Sequence, residues 1–205
     1  SIEKHKQDKD EDQEEELPKG PIHALIDTGA LITGMDNEEV AEYLIRRLPD
    51  WMEGVVYLDK GDRQMVKLRT GAPVLLAQCG VAPERRFTFY DQVHTTGMDI
   101  RQFSSARAVL TLGKDMTFRD YAQGAYRLRG IGRGMTIDLC IIPEVRTKIA
   151  HELGAHATGR PELDVPAWLL VNSMRMETLQ FVKMGGQELM NSWRKRALAA
   201  LVGGV

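Results

Sequence analysis

The sequence predicts an α/β domain, a parallel sheet flanked by helices, with a helical extension at its C-terminal end. Three observations carry that prediction. From Pro21 onward, short apolar runs alternate with helix-period patterns, as crossover connections between parallel strands require. After Pro166 the apolar residues recur only at helical spacing. The 205 residues are 43% apolar, enough for one core and short for two full domains.

Ile22-His-Ala-Leu-Ile26 is the first expected strand. Asp36 and Glu39 have the spacing of an N-cap and its capping-box partner, and Val40, Tyr43, Leu44 and Arg47 continue a helix that Pro49 stops. Gly54-Val-Val-Tyr-Leu58 is a short buried strand ending at Asp59, and further strands are expected at Val74–Ala77, Arg86–Tyr90 and Ala108–Leu112. Thr117 caps a helix through Phe118, Tyr121 and Ala125 to Arg127, and Met135–Ile142 supplies a last strand before Pro143. Leu169, Met176, Leu179, Val182 and Leu189 to Leu201 form the helical extension, interrupted at Gly185-Gly186. The division that follows is an acidic disordered segment over 1–20, an α/β lobe over 21–150, a Gly/Ala/Pro-rich linker over 151–164 and a helical extension over 165–205. No internal repeat is present.

The formal net charge of −2 hides an asymmetry. Residues 1–20 hold four Lys against eight Asp/Glu, and the remainder is slightly basic. The whole chain is therefore not an electrostatic nucleic-acid binder. Cys79 and Cys140 lie far apart without metal-ligand spacing, so no zinc site or disulfide framework is expected. No apolar run approaches a membrane span and no apolar signal core opens the chain, which predicts no membrane partner and an intracellular setting, cytoplasmic or nuclear. The charged opening and the helical ending read as a piece of a larger protein, although Gly203-Gly204 would also suit a natural end.

Two motifs in fixed order carry the chemistry: His94-Thr95-Thr96-Gly97-Met98-Asp99-Ile100, then Gln123-Gly-Ala-Tyr-Arg127-Leu-Arg129-Gly-Ile-Gly132. On a loop after a strand, the small residues let backbone approach phosphate. Arg127 follows Gln123 by four residues, so on a continuous helix the amide and guanidinium would share a face. A cation so placed can stabilise charge on a transferring phosphoryl group. A Walker pattern is absent, so the chain alone should not hydrolyse ATP.

The two motifs resemble the Thr-x-x-Gly-x-Asp loop and Gln-x-x-x-Arg helix of the second RecA-like lobe of superfamily-two helicases and chromatin remodellers. The resemblance implies a RecA-like, P-loop NTPase-type fold with Thr95, Thr96, Gly97, Asp99, Gln123, Arg127 and Arg129 facing nucleotide. It implies ATP and magnesium only when a first lobe is supplied. The chain departs from the remodeller pattern at Gly130, where a second Arg is expected and Arg129 stands one residue early.

The runs His23–Gly34, Gly54–Asp59, Arg86–Ile100 and Leu110–Arg127 also resemble the C-terminal part of very large eukaryotic proteins labelled ubiquitinyl hydrolases or ubiquitin thioesterases. That resemblance covers about 21–145 and implies missing domains of a parent protein as partners, with a cysteine deubiquitinase somewhere in it. Under a thiol-hydrolase reading, Cys79 would be nucleophile, His94 base and Asp91 or Asp99 its orienter, with ubiquitin as partner. The competing reading makes Cys79 a small buried hydrophobe and the lobe a non-catalytic scaffold.

Three weaker matches are set aside. Asp27-Thr28-Gly29-Ala30 resembles an aspartic-protease loop, but the helical patterns fit that all-strand fold badly. His151 and His156 are five residues apart, about 140° round a helix, where zinc ligation needs i and i+4. Trp193 among Arg194, Lys195 and Arg196 has the residue types for nucleic-acid or anionic-lipid contact, but a solvated basic face beside one buried Trp is the commoner arrangement.

Overall fold

The computed structural model describes residues 20–93 and 99–203. The acidic segment, and His94, Thr95, Thr96 and Gly97, lie outside the described residues. Seven strands form one mixed sheet: β1 (Ile22–Ile26), β2 (Gly54–Leu58), β3 (Gln64–Leu68), β4 (Val74–Leu75), β5 (Arg86–Tyr90), β6 (Arg107–Thr111) and β7 (Thr136–Cys140). Their order is β4-β3-β2-β5-β1-β6-β7. The strands from β2 to β7 in that order pair in parallel, while β3 and β4 extend the β2 edge antiparallel. The sheet is thus not wholly parallel. No strand is expected from the sequence over Gln64–Leu68, which becomes one by pairing with all of β2, from Gly54 opposite Leu68 to Leu58 opposite Gln64.

Side chains alternate across the sheet with the two-residue strand period. Leu25, Val55, Tyr57, Phe87 and Phe89 face a cluster covered by α1 (Asn37–Ile45) through Val40, Ala41 and Ile45. Ala24, Ile26, Val56, Leu58, Tyr90 and Leu110 face the larger cluster, which α2 (Phe118–Ala125), α3 (Pro143–Leu153) and the start of α4 (Pro161–Val202) cover. The α1 capping box is present as expected: Glu39 N donates to Asp36, and Asp36 N donates to the Glu39 carboxylate.

Half of the expected linker is α-helix. Residues 151–153 complete α3 and residues 161–164 open α4, leaving 154–160 as the connection. Gly154, at φ 52°, ends α3 in a backbone region that only glycine enters cheaply. Asp164 then ties the connection to α4 by accepting from Thr158 N and Gly159 N, each at 2.9 Å. Pro161 sits at the first helical position, where its missing N–H costs nothing. The helix runs without a break through Gly185-Gly186.

At the amino-terminal edge of the sheet, His23 is 4% exposed and its ring lies between Trp51 and Phe103, at centroid distances of 6.1 and 5.4 Å. Its Nδ1 has no hydrogen-bond partner. Burial holds its pKa below the usual imidazole value, partly offset by the Pro21 carbonyl. Below pH about 6.5 the unfolded chain therefore takes up the proton more readily than the folded one, and stability falls as pH drops. His23→Phe keeps the ring contacts and removes this proton. The loss in urea midpoint between about pH 7.5 and about pH 5.5 should be smaller in the variant; equal losses would show that His23 is not held neutral by burial.

Candidate functional site

The chain leaves β1 through α1 toward β2 on one side, and leaves β6 through α2 toward β7 on the other. The adjacent carboxyl ends of β1 and β6 are thus a topological switch point, where open α/β sheets present a crevice for ligands. A cavity of about 510 Å³ lies there, lined by Thr28, Gly29, Gln92, Gly113, Lys114 and Gln123 among others.

Its floor is braced by Asp27, 2% exposed. One carboxylate oxygen accepts from Leu31 N at 3.0 Å and from Thr111 Oγ1 at 2.6 Å, and the other accepts from Ile32 N at 2.9 Å. Thr111 Oγ1 accepts in turn from Gly29 N at 2.9 Å. This holds Gly29 so close to Gly113 that a Cβ on Gly29 would lie 2.8 Å from the Gly113 amide nitrogen. The two glycines are therefore required by backbone packing. Thr28 is buried, and its hydroxyl, without a hydrogen-bond partner, abuts Gly124 of α2, where a Cβ would meet it at 2.5 Å. Asp27 is thus a loop brace with both oxygens engaged, unlike a protease carboxylate that shares a proton with its twin.

The first turn of α2 is closed by its own side chains. Thr117 Oγ1 accepts from Asp120 N, and Asp120 Oδ2 accepts from Thr117 N at 2.9 Å. Phe118 N donates to Ser173 Oγ of α4 at 3.0 Å. With those amides used, this helix start offers little to a phosphate.

Of the motif residues, Asp99, Gln123, Arg127 and Arg129 are among those described, and they lie toward the same carboxyl edge. Asp99 O accepts from Gln64 Nε2 at 3.1 Å, and its carboxylate lies 3.5 Å from Arg129 Nε. Both side chains of that pair are more than 60% exposed, so the pair adds little to stability. Gln123 is exposed and lines the cavity. Arg127 does not continue its helix: α2 ends at Ala125, Tyr126 caps it, and Arg127 N turns back to Gly124 O. Arg127 is 5% exposed, with its guanidinium carbon 5.9 Å from the centre of the Tyr90 ring, so the expected shared exposed face with Gln123 is not formed. Burial lowers the Arg127 pKa from its ordinary value and pushes the Tyr90 phenol up to about 12. At Gly130 the space for a side chain is taken by Met135, whose sulfur accepts from Gly130 N at 3.2 Å.

Cys79 lies elsewhere, half-buried against the larger cluster just after the single 3-10 turn Leu76–Gln78 at the antiparallel margin. It follows the end of a helical turn, so it lacks the helix N-terminus that often stabilises a thiolate. Asp99, proposed as a third member with it, is engaged by Arg129. Cys140 ends β7, as the strand pattern predicts. His151 is in α3 and His156 in the 3-10 turn beyond it, and no cluster of metal-ligating side chains occurs among the described residues. No helix of the described residues is long and apolar enough to cross a membrane.

Sequence reading missed Gly113, Lys114 and Thr111. The Leu112-Gly113-Lys114-Asp115 turn after a strand was the available signal, but only the strand order brings it against the Asp27 loop. Comparison of the chain with protein-family models, with curated proteins and with solved structures found no match.

Proposed function

We propose that the chain is a RecA-like second lobe of a helicase-type motor, which completes a nucleotide site held mainly by another lobe and turns over no ATP alone. The observation that carries this reading is the gathering of Asp99, Gln123, Arg127 and Arg129 along the carboxyl edge of the parallel strands. A self-capped α2 and the missing Walker pattern fit a lobe that contributes cations instead of a phosphate cradle. Arg129 is the exposed cation. Arg127 is the buried one, placed to hold Tyr90 and the Asp99 segment in register. Asp99, now paired with Arg129, would exchange that contact for nucleotide or magnesium-bound groups when the lobes close.

The thiol-hydrolase alternative, with Cys79 and His94 acting on ubiquitin conjugates, gains no support from the position of Cys79. The scaffold reading differs from the motor reading in predicting no effect of Arg129.

The test is ATP turnover by the chain combined with a Walker-bearing first lobe. Arg129→Ala, at an exposed site, should leave folding intact and lower turnover by on the order of 10³-fold, as loss of a charge-stabilising arginine does. Unchanged turnover in Arg129→Ala and Gln123→Ala would overturn the proposal.

A further inference from the structure

The cavity at the carboxyl ends of β1 and β6 has polar walls, and no aromatic ring of the described residues lines it. A nucleobase placed there would find nothing to stack on. What the walls offer a ligand depends on which of their side chains are already committed.

The carboxylates at or beneath these walls have partners within the fold. Asp115 Oδ1 accepts from Lys148 Nζ at 2.8 Å. Asp120 Oδ2 accepts from Thr117 N at 2.9 Å and from Thr117 Oγ1 at 2.7 Å. Asp27, below the floor, accepts from the Leu31 and Ile32 amides and the Thr111 hydroxyl. The Lys114 ammonium and the Gln123 amide are different: both side chains line the cavity, both residues are exposed, and neither side chain enters an ion pair or hydrogen bond among the described residues.

Lys114 also stands on a fixed backbone. Lys148 reaches from α3 to donate to the Lys114 carbonyl at 2.8 Å through the same Nζ that pairs with Asp115, so one cation holds the turn and offsets its carboxylate. The contact of Gly113 with Gly29 holds the start of that turn. A side chain on so fixed a backbone loses less freedom on binding than one on a loose loop.

We infer that this cavity receives the polyphosphate end of the nucleotide, with Lys114 as its cation and Gln123 as a second donor. This rests on the nucleotide reading above and adds Lys114 to it. An ammonium only donates, and the amide –NH₂ donates beside it, so the complement of the two uncommitted groups is an anion rich in acceptors. A cavity of about 510 Å³ has room for more than one phosphate group. The base, with no ring to stack on here, is left to the other lobe.

Amide NMR titrations of the whole chain test this with three probes: magnesium-free tripolyphosphate, which has no base; adenosine, which has no phosphate; and citrate, a polyanion of carboxylates. Tripolyphosphate should move the Gly113, Lys114 and Gln123 amide signals saturably. Lys114→Ala, at an exposed site, should weaken that binding by about tenfold or more, as loss of a charged hydrogen-bond donor does. Lys114→Arg should keep most of the affinity, and Lys183→Ala, on the exposed part of α4, should keep all of it. The inference is overturned if millimolar tripolyphosphate moves none of these signals, if citrate binds as tightly, or if adenosine moves the same amides. It is also overturned if Lys114→Ala binds like the parent or if Lys183→Ala is weakened equally. Turnover with a supplied first lobe separates this inference from the reading beneath it. Turnover indifferent to Lys114→Ala leaves the motor reading standing and sinks the role of Lys114; tripolyphosphate bound through Lys114, with no turnover in any combination, leaves the phosphate site standing and sinks the motor.

Discussion

Trp168→Ala is expected to cost about 3–5 kcal/mol of folding stability, the range for deleting a fully buried aromatic side chain. For a chain of this size that is a fall of roughly 10–15 °C in melting temperature. Trp168 is 0% exposed, with Leu169 at 0% and Val165 at 1% on the same side of α4, and all three join the cluster beneath α2 and α3. Nothing else can fill the void, because its neighbours come from three elements already in contact. The indole N–H has no hydrogen-bond partner, so Trp168→Phe removes an unpaired polar group along with some volume and should cost far less. Thermal unfolding of the two variants checks the account. Equal losses would mean that the indole N–H is paired; no loss in Trp168→Ala would mean that α4 does not pack as described. The effect should reach the cavity, since Asn172 donates to Met116 O and Ser173 receives the Phe118 amide, both one turn beyond Trp168.

The elements that the sequence revealed are those with a local cause. β1, β2 and β5 are apolar runs between turn residues, and α1 starts at a capping box that needs only residues 36 and 39. What it concealed depends on distant chain. β3 is polar at Gln64 and Lys67 and exists because β2 offers an edge. α3 opens at Pro143, which reads equally as a strand stop or as a first helical residue, and its apolar Val145 and Ile149 are too few to decide before α4 is known to cover them. The helical extension was legible, but its start was not, because Pro166 inside it imitates a beginning. Gln123, which its motif singles out, lines the cavity. The burial of Arg127 was not legible, since it depends on α2 stopping at Ala125 and on Tyr90 lying beneath.

Asp27→Ala should be the second large loss, by a different physical route. Removing the carboxylate leaves the Leu31 and Ile32 amides and the Thr111 hydroxyl without their acceptor. Buried donors stranded in this way cost roughly 1–3 kcal/mol each, and partial access of water to the exposed end of the loop should hold the total to about 3–5 kcal/mol. Asp27→Asn separates charge from geometry. Its amide oxygen can keep two of the three donors, but its –NH₂ then faces an N–H, so a smaller loss of about 1–3 kcal/mol is expected. Urea unfolding gives the totals, and amide hydrogen exchange locates them: Leu31 and Ile32 should both exchange faster in Asp27→Ala and Ile32 in Asp27→Asn, while the centre of β2 changes only with global stability. If Asp27→Asn were as stable as the parent with both amides still protected, Asp27 would not brace the loop. Because Thr111 joins Asp27 to Gly29, and Gly29 rests on Gly113, the two loops flanking the cavity share one hydrogen-bonded support. Loosening it should open the carboxyl edge of the sheet, so any ligand held between Lys114 and Gln123 would be weakened by a substitution that never touches it.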